Sequence, residues 1–252
     1  MNTHRKVALE PAFILHHYPY RDSSLLLEVF ARGYGRLGLV ARGARSAKAR
    51  WRGQMQNFRP LLLSWSLRGE LGTLTGLELP MATGLLAGRR LLSAYYLNEL
   101  IMRLLARHDP HPEIFDAYAE AIRSIDVAEE PVLRIFEKRM LQALGYGLLL
   151  DHEADSGLPI DADAWYEYLP ERGPVRRERK CAQGIFLRGS SLSALHRERL
   201  ADPACCHEVK QLMRAVLALY LGSRPLKTRE VLRQLATLSE EGREAGSRSG
   251  MN

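Results

Sequence analysis

Apolar residues come in short strand-like blocks through the first third of the chain and return at helical spacing through most of the rest. Val7 to His17 is largely apolar and ends at Tyr18-Pro19, and Ser24 to Ala31 (SLLLEVFA) is a second β-capable run. Gly33-Tyr34-Gly35 signals a turn before the short block Leu37 to Ala41 (LGLVA). Pro60 to Leu67 (PLLLSWSL) and Leu71 to Leu79 (LGTLTGLEL) follow, the last alternating with period two. Five short strands result, with one long polar connection, Arg42 to Arg59, between the third and the fourth. That spacing predicts a five-stranded Greek-key barrel of the OB type, with an SH3-like barrel as the competing arrangement.

The texture changes near Pro80. Leu91 to Arg107 places Leu91, Ala94, Tyr95, Leu97, Ile101, Leu104 and Leu105 on one helical face, and His108-Asp109-Pro110 stops it. Pro112 to Ile125 is a second helix and Pro131 to Leu144 a third, with Pro near its first turn and Gly145 past its end. Short connections join them as a bundle. From Leu148 to about Ser190 the pattern is poor, which predicts a small irregular lobe with room for a hairpin. Helices return over Ser191 to Arg199, Cys205 to Leu221 and Thr228 to Leu238. Ser239 to Asn252 is polar and rich in Gly and Ser, as a disordered tail would be. The reading is therefore α+β: a barrel over 1–80, a mainly α-helical domain over 81–238 with an irregular lobe at about 148–190, and a tail over 239–252.

Composition adds little until charge is placed along the chain. The 252 residues are 46% hydrophobic, enough for a sizeable core, and the formal net charge is +7. Met1 to Pro80 holds 12 Lys and Arg against 5 Asp and Glu, whereas the remainder holds 24 of each, so the whole excess lies in the barrel. Val29 to Gly69 carries nine basic residues and no acidic one: Arg32, Arg36, Arg42, Arg45, Lys48, Arg50, Arg52, Arg59 and Arg68. Unrelieved repulsion of that kind is relieved by a polyanion, with release of its counterions. Phe30, Tyr34, Trp51, Phe58 and Trp65 are interleaved with the cations, and an aromatic face beside cations suits single-stranded bases. Phe30 and Trp65 sit in apolar runs and read as core. Trp51, between Arg50 and Arg52, is either a base-stacking platform or a loop anchor. The candidate nucleic-acid contacts are Arg36, Arg42, Arg45, Lys48, Arg50, Trp51, Arg52 and Arg59.

Enzyme chemistry finds little support. His16-His17 are adjacent on a strand, so they are expected to face opposite ways and not to share a metal. No HExxH, GxSxG or phosphate-loop pattern occurs. Asp151, Glu153 and Asp155 lack the glycine and closing glutamate of a calcium loop and read as a polar turn. Cys205-Cys206-His207 reads as free thiols near a helix start, and with only Cys181 besides, neither a disulfide framework nor a four-cysteine zinc site is expected. No signal peptide or membrane span is apparent, so a cytoplasmic protein is expected. Arg134 and Arg139 lie on the third helix among Val132, Leu133, Ile135, Phe136 and Leu141. They are either surface residues or the cationic edge of a groove for an acidic peptide terminus. Barrel proteins that bind RNA, or that dock an acidic protein, fit the same charge pattern.

The residues also carry a family resemblance. Ala12-Phe13-Ile14-Leu15, Tyr18-Pro19-Tyr20-Arg21-Asp22-Ser23-Ser24-Leu25 and Gly35-Arg36-Leu37-Gly38-Leu39-Val40-Ala41-Arg42-Gly43 resemble the opening of the bacterial RecO recombination-mediator family. Gln56-Asn57-Phe58-Arg59-Pro60, Tyr96-Leu97-Asn98-Glu99-Leu100, Leu144-Gly145-Tyr146-Gly147 and Pro225-Leu226-Lys227-Thr228-Arg229-Glu230 continue it in order, to about Leu238. The resemblance implies an N-terminal OB-fold, a helical C-terminal domain and no catalytic activity or cofactor. It implies binding of single- and double-stranded DNA, annealing of complementary strands and, with RecR, loading of RecA on DNA coated by the single-strand-binding protein SSB. It also implies association with the nucleoid. By position, Arg134 resembles the arginine that receives the acidic C-terminal tail of SSB, with Arg139 beside it. Some members carry a four-cysteine zinc module near 150 to 190; here only Cys181 falls there, which implies a zinc-free member.

Overall fold

The structure is a computed structural model describing residues 5–51, 53–69, 71–80, 86–179, 184–222, 224–231 and 234. The expected tail over 239–252, Cys181 and Arg52 lie outside the described residues.

Five strands close into a barrel: β1 (Arg5–Tyr20), β2 (Ser24–Ala31), β3 (Gly35–Ala41), β4 (Leu61–Arg68) and β5 (Leu71–Glu78). The order around the barrel is β1-β2-β3-β5-β4, with β1 also paired to β4. Only β3 and β5 run parallel; every other pair is antiparallel. That is the Greek-key closure expected of an OB-fold, with Arg42–Pro60 as the long crossing from β3 to β4.

The first strand is longer than its apolar block predicts. Its N-terminal half pairs with β4 and its C-terminal half with β2, and register breaks at Val7/Glu10 and Ile14/His16 bend it from one to the other. Beyond Ala12 it has β2 on one side only, an edge on which Pro19 is tolerated.

The barrel interior holds Ala12, Ile14, Val29, Leu39, Leu63, Trp65 and their neighbours. Alternation sends the intervening Phe13, Leu15 and Phe30 out of the barrel, yet all three are buried, because they join the core of the helices. This is why Ala12–Leu15 is an unbroken apolar run: the strand is covered on both faces. Phe30 is core, as expected, but it belongs to the junction core rather than to the barrel.

The helical part comprises α1 (Gly88–Leu104), α2 (Pro112–Ser124), α3 (Glu129–Ala143), α4 (Gly189–His196) and α5 (Pro203–Leu221). Leu97, Ile101, Tyr118, Phe136, Met140, Leu212 and Leu217 are among the buried residues of its core. The lobe expected to be irregular is an antiparallel sheet of β6 (Trp165–Leu169), β7 (Gly173–Arg177) and β8 (Phe186–Arg188), ordered β7-β6-β8. Tyr166, Tyr168 and Leu187 bury into the helical core, so the lobe packs as part of it. A further helical turn spans 227–231, and the Lys227 and Thr228 amides at its start donate to the Glu99 carboxylate.

α1 stops at Leu104, short of the predicted Arg107. Its last turn is overridden by tertiary pairing. The His108 amide donates to the Arg36 carbonyl at 2.8 Å, and Arg107 bridges to Arg36 in parallel. Close approach there depends on Gly35, whose φ is +66° and whose position would drive an added Cβ into the Asp109 carbonyl.

Candidate nucleic-acid interface

The β3–β4 connection is built from successive turns. Ser46 N–H donates to Gly43 O, Ala49 to Ser46 and Gln54 to Trp51. Its base is tied to the β1–β2 turn by Arg45 N–H on Ser23 O at 2.8 Å and by the Arg45 guanidinium on Arg21 O at 3.3 Å. On this frame Arg42, Arg45, Lys48 and Arg50 are exposed, and among the described residues none has a carboxylate partner. The connection therefore presents uncompensated positive charge on a fixed backbone. Arg21, exposed and drawn to the same edge, adds to it. Sequence reasoning missed Arg21 because it is distant in the chain and followed by Asp22; only the turn contact brings it near.

Trp51 is half-buried against the barrel core beside Ala44 and Met55, with the Arg50 guanidinium 5.3 Å over its ring. It anchors the connection. The other interleaved aromatics are also used for packing: Trp65 and Phe30 are fully buried, Phe58 lies in the junction, and Tyr34 meets Trp65 edge-on at 5.2 Å. The aromatic face anticipated from their spacing does not form from these five residues.

Arg36 is the residue most displaced from expectation. Its side chain is 11% exposed and bonds Glu28 at 3.0 Å. It also donates to the carbonyls of Met102 and Leu105 at the end of α1. A guanidinium so committed has little to offer a phosphate. Arg59 is half-buried, with its Nε enclosed at the foot of the connection.

The two histidines also differ from expectation. The His16 and His17 rings stack at 6.1 Å rather than facing opposite ways. Burial of His16 and the neighbouring His17 hold its pKa below the usual histidine value.

On the helical side, Arg134 is buried and pairs with Glu137 at 3.0 Å. Glu137 is wholly buried, and it also accepts from the Tyr96 hydroxyl at 2.5 Å. Burial pushes the Glu137 carboxyl upward and the Tyr96 phenol well above its usual range, while Arg134 opposes both. Arg134 is thus neither a surface arginine nor a free rim cation. Arg139 bonds Glu198 through Nε and Nη2 and reaches Glu120 at 2.5 Å. These partners raise its pKa further. Five residues along a helix turn through about 140°, so Arg134 and Arg139 look to different sides of α3. Arg139 borders a shallow groove between α2 and α3 lined by Ala121, Val132, Ile135 and Phe136.

Elsewhere the polar turn at 151–155 is a set of local bonds: Glu153 accepts from Ser156 and Tyr166, and Asp155 pairs with Arg172. Cys205 and Cys206 are free and half-buried, with thiol pKa values raised by burial. Among the described residues no cluster of three or more His, Cys, Asp or Glu is arranged to hold a metal ion, and no helix is long and apolar enough to cross a membrane.

Two family models match the chain. Residues 6–81 match the family described as Recombination protein O N terminal, and residues 86–230 match Recombination protein O C terminal. The DNA repair protein RecO of Nitrosococcus oceani is 46% identical over 240 residues, covering 94% of this chain and 98% of the relative. That of Alkalilimnicola ehrlichii is 47% identical over 234 residues, covering 92% and 93%. That of Dechloromonas aromatica is 43% identical over 243 residues, covering 94% and 100%.

Proposed function

The chain belongs to the RecO family, and on that premise we propose that it is a non-enzymatic mediator of recombinational DNA repair whose β3–β4 connection holds DNA. The observation that carries this reading is the set Arg42, Arg45, Lys48 and Arg50, exposed together with no carboxylate partner among the described residues. Cations held on an ordered backbone bind the phosphates of single and double strands alike, because neutralisation does not depend on sequence. The same neutralisation supports annealing: two strands whose charge is partly cancelled repel one another less, and no bond is made or broken.

The charge-balanced helical part is the seat of protein partners in this reading. The acidic C-terminal tail of SSB would lie in the α2/α3 groove, its carboxylates meeting Arg139 at the rim. Arg134 would act from inside, neutralising Glu137, which takes the Tyr96 hydroxyl and so ties α3 to α1. RecR would engage another surface, and RecA would be helped onto DNA only indirectly, by release of SSB.

Titration of a single-stranded oligonucleotide at several salt concentrations tests the DNA reading. A steep fall in affinity with salt is expected, and a shallow slope would count against it. Tighter binding of RNA than of DNA of the same sequence would favour an RNA-binding barrel instead.

A further inference from the structure

Tyr18, Leu26, Val40 and Thr73 stand side by side across β1, β2, β3 and β5, each opposite the next. We infer that this row is a platform for an unstacked base of a bound single strand, with Tyr18 as the stacking ring. The inference rests on the DNA-binding reading above and adds a base contact to it.

Register and burial place the row on the outside of the barrel. Leu27, Leu39 and Leu74 fill the barrel interior, so their chain neighbours Leu26, Val40 and Thr73 lie on the opposite side of the sheet. Part of that outer face is taken by the helices, where Phe13 and Phe30 meet Phe115 and Arg36 caps α1. Past this contact the face is open. Tyr18 is 46% exposed, and Leu26, Val40 and Thr73 are half-buried.

The surface is apolar and held in shape. Next to the row, Gly38 has no side chain, and Leu71 takes the space: a Cβ on Gly38 would meet Leu71 Cδ2 at 2.7 Å. Leu71 is itself 40% exposed, which widens the apolar area. The His16 ring meets Tyr18 edge-on at 4.4 Å and limits how the tyrosine can turn. One exposed apolar side chain is ordinary on a protein surface, whereas a continuous patch across several strands marks a place of contact.

The cations at its margins select the occupant. Arg42 follows Val40 by two positions, so it rises on the same side of the sheet, exposed and without a carboxylate partner among the described residues. At the end of β1 the Arg21 guanidinium lies 5.3 Å over the Tyr20 ring. The carboxylate of β2, Glu28, is buried and held by Arg36 and Arg107, so it does not repel a phosphate here. An aromatic face continuous with cations fits a single strand, whose phosphates take the charge and whose bases take the ring. Two strand spacings of about 4.8 Å separate Tyr18 from β3, so a phosphate at Arg42 leaves its base over the row. A duplex keeps its bases stacked inside and gains nothing from such a surface.

The test uses the full chain with a labelled single strand of about 15 nucleotides and a duplex of the same sequence. Tyr18→Ala is expected to weaken the single strand about tenfold, the loss of one stacked base, with the salt slope unchanged because no phosphate contact is removed. Duplex affinity should stay as it was. Tyr18→Phe should keep single-strand affinity, since the ring and not the hydroxyl does the stacking. Unchanged single-strand affinity of Tyr18→Ala would overturn the platform. An equal loss on both ligands would overturn it too, because Tyr18 would then serve the phosphate surface or the fold. Failure of the unaltered protein to bind either ligand is a different result, and it defeats the DNA reading rather than the platform.

Discussion

Glu28 and Arg36 form an ion pair of 3.0 Å where the barrel meets the helices, and this pair takes Arg36 out of the set of free barrel cations. Glu28 sits on β2 with its side chain 6% exposed, and its second oxygen takes Arg107 at 2.6 Å. Arg36 in turn donates to two carbonyls at the C-terminal end of α1, where cations are favoured by the helix dipole. The barrel is thus clamped to α1 by one carboxylate and two arginines.

Removing the carboxylate leaves two guanidinium groups uncompensated, one of them buried. Glu28→Ala is expected to lower unfolding free energy by about 3 kcal/mol, the low end for a broken buried pair because Arg107 is half exposed. Urea denaturation measures it; a loss below about 0.5 kcal/mol would show that the clamp does not contribute.

The four exposed cations and Arg36 should separate cleanly. Replacing Arg42, Arg45, Lys48 and Arg50 together with Ala is expected to reduce the salt slope of single-strand binding by about 3, at roughly 0.7 for each phosphate no longer neutralised. Stability should stay within about 0.5 kcal/mol of the parent, as surface changes do. Arg36→Ala should do the reverse, lowering stability and leaving the slope unchanged.

Inside the helical part, Arg134→Ala is expected to cost about 3 to 5 kcal/mol, because it strands the buried Glu137 charge. Glu137→Gln in the same chain should restore much of the loss, since a neutral amide needs no counter-charge. A double variant no more stable than Arg134→Ala alone would mean that the pair is not coupled.

Arg139→Ala addresses the groove instead. It should weaken a short acidic peptide ending in phenylalanine about tenfold, in line with removal of a charge-assisted hydrogen bond. DNA affinity should be unchanged. Parallel loss of both activities would merge two surfaces that the fold keeps apart.

Acid sensitivity follows from Glu198. Burial raises its pKa, but hydrogen bonds from Arg139 and Lys138 outweigh that and hold it below 4.5. A depressed folded pKa means that the unfolded chain takes the proton more readily. The stability contributed is therefore complete above 4.5 and is lost as pH falls through the lower folded value. Glu198→Gln should flatten this acid limb of a stability-against-pH curve. Glu137, whose pKa is raised, contributes with the opposite sign: its share is present at low pH and is lost as pH rises through the folded value.

Much of the fold can be read from periodicity. β2 falls on the predicted Ser24–Ala31, and α2 ends within one residue of its predicted boundary. Those elements are bounded by turns and prolines that act locally. β1 and α1 depart from prediction at their ends because what extends the one and shortens the other is contact with distant residues: pairing to both β2 and β4, and the Arg36 bridge to Arg107. The sheet at 165–188 is hard to see in the sequence because its strands are short and close on one another rather than on a neighbour with a clear pattern.

The basic stretch shows where each kind of information stops. Sequence alone determined that the barrel carries the chain's excess charge, with no acid between Val29 and Gly69, because charge is a property of residues and not of their arrangement. Only the tertiary structure decided which cations are free. Glu28 lies one residue outside that stretch, and folding β2 against β3 carries its carboxylate to Arg36. The same folding turns Phe13, Leu15 and Phe30 out of the barrel into a shared core and leaves Arg42, Arg45, Lys48 and Arg50 on the outside. A strand alternates its side chains by its own geometry, but what covers each face is settled by the element that packs there.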